Sequence, residues 1–429
     1  MEISKKNKHS LNLGKTDSIP MKLSRKHPFF FFLFLAFSLQ SFCQTQLSFE
    51  RLKRFDAYYQ QEIQSGNLPG IVGLIYKDGA KIHEVALGYS DLSTKTPMGT
   101  DQIFFIQSMT KPVVTTAFMM LYEEGHFFLT DPIAKYLPEF KEMKVAVDPA
   151  KGSAGGTVPA SSPITIAQVL SHTAGFSHGL SASKLDEEVR NSLYSSPHTN
   201  LESRVKALAS LPLVGQPGKQ WYYSASPDIL ARLIEVISGQ NLADFLEERL
   251  FRPLGMKDTG YNLTNTQNPR MAMLHQKNES GVLEKVKNQT PTSGNTVMGG
   301  THGLFSTAQD YSIFARMLLN GGEWEGRTYL SPKTLEIMTL PHDDGLFQDP
   351  GKGFGYGFAV VDDLASTNSL GSEGTFYWSG AYSTYFFIDP QENMVAIFMT
   401  QLAPYSNFYE NKFRQMVYQA IQQVGIPQD

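Results

Sequence analysis

The segment Phe104-Phe105-Ile106-Gln107-Ser108-Met109-Thr110-Lys111-Pro112 decides how the rest of the chain is read. An apolar run gives way here to a helical pattern, and a serine and a lysine stand at i and i+3 at the junction. On a helix, side chains so spaced lie on one face about one turn apart. A serine hydroxyl is a weak nucleophile at neutral pH and needs a neighbour to take its proton. A lysine can do so only if burial or nearby charge lowers its pKa. Ser108 and Lys111 are therefore a candidate nucleophile and its activator.

The spacing alone is weak, because Ser181/Lys184 and Ser203/Lys206 repeat it. Ser181 lies in a polar stretch with no apolar flank to dry the lysine, and Ser203 begins an ordinary amphipathic helix. Only Ser108 opens a strongly apolar helix, where backbone N–H groups and the helix dipole favour developing negative charge. Gly175-Phe176-Ser177-His178-Gly179 offers a rival, since Gly-x-Ser-x-Gly is the nucleophile-elbow pattern. That pattern works only between a buried strand and a helix, and here a helix end precedes it. A structural loop is expected instead. His172, His178, His275 and His302 do not fall at metal-ligand spacings, so no metal site is expected. No phosphate-cradling glycine loop and no dinucleotide fingerprint appear, so no cofactor is expected.

Outward from Ser108, the helix should run to a C-capping Gly125, with Val113, Val114, Ala117, Phe118 and Leu121 as its apolar stripe. Before it, helical spacing runs from Leu47 to Gln64. Strands are then expected at Ile71–Tyr76 and Lys81–Leu87 around the turn Lys77-Asp78-Gly79. After it, helical segments prevail to about Pro341, interrupted by loops at Lys151–Ser162 and Leu263–Gly294. Strands return at Gly355–Val361, Thr375–Trp378, Ser383–Ile388 and Met394–Thr400, and a helix from Phe408 to Val424 closes the chain. The pattern predicts an α+β fold: one sheet built from residues 47–129 and 342–429, with an all-helical insert over 130–341.

Hydrophobic residues make up 41% of the 429 and charged ones 18%, the balance of a folded globular protein. The first 43 residues are basic, and without them 30 Lys/Arg face 39 Asp/Glu. No basic block remains to bind nucleic acid. Lys22, Arg25 and Lys26 precede an apolar run from Phe29 to Leu39, followed by small and polar residues up to Cys43-Gln44. This is the order of a secretion signal, too short to span a bilayer comfortably. Cleavage near Cys43 and a secreted or periplasmic location are expected, with no stable membrane span afterwards. The residues before Met21 are long for a signal, which makes Met21 a candidate start. Phe42 fits a lipoprotein cleavage site poorly, so lipid anchoring at Cys43 is disfavoured. With Cys43 removed the chain carries no thiol, and disulfides, a cysteine nucleophile and thiolate metal sites go with it.

Ser108-Met109-Thr110-Lys111-Pro112 with Tyr122-Glu123-Glu124-Gly125 resembles the first motif region of the class C β-lactamase-related serine hydrolases. Leu170-Ser171-His172-Thr173-Ala174-Gly175, Pro253-Leu254-Gly255-Met256 and Gly299-Gly300-Thr301-His302-Gly303-Leu304 continue the resemblance over roughly residues 50–425. It implies an antiparallel sheet flanked by helices, an all-helical part, and a site at their junction. It makes Ser108 the acyl-forming nucleophile, Lys111 its base, and Tyr223 the second-motif tyrosine that shares proton transfer. Trp378-Ser379-Gly380 takes the place of the third motif beside the substrate, and the N–H groups of Ser108 and Ala381 would form the oxyanion hole.

Two departures redirect the expected substrate. Tyr223-Ser224-Ala225 lacks the amide of the β-lactamase Tyr-x-Asn motif, and Trp378 is neutral where β-lactamases carry a lysine. Both remove polar contacts to a charged β-lactam. They look instead like the family VIII carboxylesterases and related acyltransferases, although Ser379 replaces their middle glycine. The expected function is a carboxylesterase on small uncharged esters. The alternatives are a β-lactamase or D-amino-acid peptidase on cell-wall-like amides, and a non-catalytic penicillin-recognising module.

Overall fold

Continuous apolar runs, buried on both faces, build the centre of the sheet. The strands are β1 (Gly70–Lys77), β2 (Ala80–Asp91), β3 (Thr96–Pro97), β4 (Lys352–Phe354), β5 (Ala359–Val361), β6 (Phe376–Ser379), β7 (Tyr385–Asp389) and β8 (Met394–Met399). They lie in the order β4-β5-β6-β7-β8-β1-β2-β3, and every pairing is antiparallel. The early and late strands of the sheet thus meet where β8 pairs with β1, Ile397 opposite Leu74. The computed structural model describes residues 45–423, so the expected signal segment and Cys43 lie outside the described residues.

Successive side chains of a strand point to opposite faces, and each face of this sheet has its own core. Val72 and Leu74 of β1 join one core, Ile71 and Ile75 the other. Five helices matter here: α1 (Phe49–Gln64), α2 (Thr110–Glu123), α3 (Ser226–Ser238), α4 (Ala308–Leu319) and α5 (Asn407–Tyr418). Phe55 of α1 and Phe413 of α5 cover one face, with ring centroids 5.7 Å apart. Helices α2 and α4 cover the other, where Tyr311 meets Phe386 of β7 at 4.9 Å.

Helix α2 departs from the amphipathic expectation. All residues from Thr110 to Leu121 are buried, Lys111 included. The helix lies between the sheet and the helices of the middle of the chain, α3 in particular, so it has no solvent face. A helix apolar on every side is the kind that ends up in an interior. It stops at Glu123, and Gly125 has the positive φ of +80° expected of a C-cap.

Three boundaries differ from the sequence expectation for a common reason, namely pairing with distant backbone. The first helix starts at Phe49, with Ser48 capping it, because Thr45–Leu47 pairs antiparallel with Ile421–Gln423. The last helix accordingly ends at Tyr418. Gly355–Val361 is not one strand: the Tyr356 N–H donates to the Met338 carbonyl at 2.8 Å, and the chain turns between β4 and β5. Local pairing makes a further difference, because the stretch 130–341 is not all-helical: the loop expected over Leu263–Gly294 contains the hairpin His275–Lys277/Leu283–Lys285, and Lys144–Ala146 pairs with Thr157–Pro159.

Candidate active site

The turn that carries Ser108 is held by backbone from far along the chain. Phe104–Phe105 pairs antiparallel with Phe305–Ser306, and a 3-10 turn over Gln107–Met109 then leads into α2. The Ile106 N–H donates to the Leu304 carbonyl at 3.0 Å, and the Tyr311 hydroxyl donates to the Met109 carbonyl at 2.9 Å. Gln107 adopts a φ of +49°, a left-handed conformation unusual outside glycine. Such strain persists only where the surroundings enforce it, and here it turns Ser108 toward a cleft of about 1390 Å³.

That cleft gathers the residues singled out by sequence. Ser108, Tyr223, Trp378, Ser379, Gly380 and Ala381 all line it. Lys111 stands behind Ser108 rather than on the wall, with 1% of its surface exposed. Its Nζ donates to Ser108 Oγ at 3.0 Å and to the Thr301 carbonyl at 2.8 Å, and lies 4.6 Å from the Tyr223 ring centroid. Burial pushes the Lys111 pKa down to about 7, against the pull of the Asp228 carboxylate. A substantial fraction is then neutral at neutral pH and able to accept a proton. Burial pushes the Tyr223 hydroxyl the other way, to about 12, with Ser108 and Trp378 opposing it. Tyr223 is therefore a neutral phenol at neutral pH, able to donate a proton, whereas Lys111 is able to accept one.

Glycine 380 explains how β6 comes so close. A Cβ there would stand 2.5 Å from the Ile106 carbonyl oxygen, so a larger residue would lift the strand off the turn that carries Ser108. Alternation along β6 sends the side chains of Trp378 and Ser379 to opposite faces. Trp378 packs against Tyr223 and Phe354, with ring centroids at 5.5 and 5.3 Å. Ser379 Oγ lies 3.5 Å from the Tyr405 hydroxyl, on the side of α5. The Ala381 N–H forms no hydrogen bond with another described residue, which leaves it free to face a reacting carbonyl.

Several functional neighbours carried no assigned role in the sequence. His178 stacks on Tyr223 at 5.3 Å, and His178 and His302 both line the cleft. Burial lowers both pKa values to about 3, so neither carries charge at neutral pH. Thr301, Asp228 and Arg204 lie behind Lys111. The signal for the first was visible in Gly299-Gly300-Thr301-His302, but nothing local assigns a carbonyl to a lysine 190 positions earlier.

The rivals of Ser108 are accounted for as structure. Ser177 Oγ donates to the Asp186 carboxylate and accepts the Gly179 N–H at 2.8 Å, with no strand before it. Ser203 belongs to a helix N-terminal capping box with Asn200, and Lys206 pairs with Glu202. Ser181 also donates to Asp186, while Lys184 pairs with Glu187.

Residues 55–420 match the family model described as Beta-lactamase. The chain belongs to the β-lactamase family. Within it, Protein Rv1367c of Mycobacterium tuberculosis is 34% identical over 368 residues, covering 81% of this chain and 89% of that one. Esterase EstB of Burkholderia gladioli is 26% identical over 374 residues, covering 82% and 90%. Among solved structures, EstCE1, described as a hydrolase with promiscuous acyltransferase activity, superposes with a TM-score of 0.75 at 27% identity, covering 86% of this chain and 99% of that one. The antiparallel sheet flanked by helices is thus the β-lactamase/transpeptidase-like fold expected from the sequence. Among the described residues no helix is long and apolar enough to cross a membrane.

Proposed function

We propose that this member of the β-lactamase family is a carboxylesterase that works through a Ser108 acyl-enzyme on uncharged esters. The observation that carries the proposal is the Lys111–Ser108 contact at 3.0 Å, inside a cleft where the third-motif position is the neutral Trp378. Neutral Lys111 takes the hydroxyl proton as Ser108 Oγ bonds to the ester carbonyl carbon. The N–H groups of Ser108 and Ala381 receive the developing oxyanion. The proton leaves with the alcohol, delivered by Lys111 through the Tyr223 hydroxyl, and water then releases the acid by the reverse path. Trp378 offers the substrate an apolar face in place of a cation, which favours neutral esters over carboxylate-bearing β-lactams. The similarity to Esterase EstB and EstCE1 points the same way.

Ser108→Ala, checked for native folding by circular dichroism, should abolish hydrolysis of p-nitrophenyl butyrate and labelling by a fluorophosphonate probe. Activity surviving in that variant overturns the acyl-enzyme proposal. Faster turnover of a chromogenic cephalosporin than of the aryl ester would overturn the esterase preference alone. Residues 1–43 are proposed to direct export to the periplasm or beyond, which cell fractionation and N-terminal sequencing of the mature chain would test.

A further inference from the structure

Lys111 must be held still and kept ready to lose its proton, and the residue two after Tyr223 is Ala225, so no side-chain amide helps at that point. A buried ion pair lies behind Lys111, on the far side of Thr301. Arg204 and Asp228 lie 2.6 Å apart with 6% and 2% of their side chains exposed. The other Asp228 oxygen accepts the Thr301 N–H at 2.8 Å, and the carbonyl of the same residue accepts the Lys111 ammonium at 2.8 Å. Thr301 also reaches back through its hydroxyl to the Ala225 carbonyl at 3.3 Å. The Gly299-Gly300 pair lets this backbone lie so close. A Cβ on Gly299 would run into the Arg204 guanidinium, and one on Gly300 into the Pro227 carbonyl.

We propose that Asp228, held by Arg204, is a positioning residue that presents the Thr301 carbonyl to Lys111 and so sets the readiness of Lys111 to take the Ser108 proton. This rests on the acyl-enzyme reading of Ser108 and Lys111. A carbonyl fixed at one end by a buried carboxylate cannot drift, so the lysine keeps its 3.0 Å contact with the nucleophile. The carboxylate also acts through space. Facing Lys111 are Tyr223, His172, His178, His302 and Asp228, with Arg204 behind Asp228. The histidines are held neutral by burial, and Tyr223 stays a phenol, so Asp228 supplies the negative charge near the lysine and Arg204 tempers it. Burial works against the Asp228 carboxylate, but the Arg204 guanidinium, helped by the hydrogen bonds from Thr301, holds its pKa below the usual carboxylate value. It is charged throughout the working range.

The test is the pH dependence of the rate at which a fluorophosphonate labels Ser108 in the full chain, which reads deprotonation without deacylation. Asp228→Asn keeps an oxygen for the Thr301 N–H but removes the charge, and should move the acid limb to lower pH. Arg204→Met exposes Lys111 to the full Asp228 charge and should move it to higher pH. Arg204→Lys should leave it near the wild-type position. Asp228→Asn and Arg204→Met should also label at least ten-fold more slowly at their plateau. Opposite displacements support the relay. Unchanged limbs, or displacement in one common direction with native circular dichroism, overturn it. Should Asp228→Asn not fold, a failure of Arg204→Met to raise the limb is sufficient to reject the proposal. If Ser108→Ala still turns over ester, it is the acyl-enzyme reading that fails, not the relay.

Discussion

Lys111 Nζ meets Ser108 Oγ at 3.0 Å from a position that water does not reach. A free lysine would be protonated at pH 7 and useless as a base, so the burial is as much part of the site as the contact. The pH profile follows from it. With the Lys111 pKa lowered to about 7 by burial, kcat/KM should rise through an acid limb centred near pH 7 and level off above it. Tyr223, at about 12, adds no alkaline limb below about pH 10. A stopped-time assay from pH 5 to 10 checks this, and an acid limb near pH 4–5 would assign the base to a carboxylate instead.

The same burial costs stability. In the folded chain Lys111 titrates near 7 and in the unfolded chain near 10.5. Between those values the unfolded state binds more protons, so the stability contribution of this group rises with pH and is at its worst below pH 7. Lys111→Met should therefore be more stable than wild type at pH 6 by about 2–4 kcal/mol, after allowing for the two lost hydrogen bonds. The gap should shrink toward pH 10, as thermal melts of both proteins at the two pH values would show. Ester hydrolysis should fall by about 10²–10⁴-fold in the variant.

Ser177 offers a contrast. Its hydroxyl is engaged by Asp186 and Gly179, which makes it part of the loop's wiring. Ser177→Ala should keep kcat/KM for an aryl ester within about two-fold of wild type while lowering stability by about 1–3 kcal/mol, the cost of leaving buried partners unmade. Activity and urea midpoint measured on the same preparation separate the two effects. A ten-fold loss of activity with unchanged stability would return Ser177 to candidacy.

Substrate preference should respond to charge at the edge of β6. Trp378→Lys places a cation where the cleft now has an aromatic ring packed on Tyr223 and Phe354. A charge-assisted hydrogen bond to a carboxylate contributes about 1.5–3 kcal/mol. Turnover of a chromogenic cephalosporin should rise about ten-fold or more, while aryl-ester hydrolysis falls as the ring contacts are lost. Comparing kcat/KM for the two substrates in each protein gives the ratio, and an unmoved ratio would remove Trp378 as its determinant.

The Ser108–Lys111 contact was legible because its signal is local. A serine and lysine within one helical turn, at the mouth of a strongly apolar helix, can be read without knowing what lies opposite. Strand alternation was legible for the same reason, since Ile71 and Val72 declare opposite faces by their spacing alone. Tyr223, Trp378 and Ala381 were reached only through resemblance, because no period connects them to Ser108.

Tertiary structure decided the chemistry of those groups. Lys111 is desolvated because α2 is enclosed on every side, which no stripe drawn on one helix shows. Ser177 is excluded by Asp186, a partner nine positions on that no motif names. The hold on Lys111 runs through Thr301 to Asp228 and Arg204, residues scattered over three segments and brought together by packing. Desolvation and charge act across space. The pKa of a lysine is therefore set by whatever the fold places around it, and its own sequence neighbours say only that it could be buried.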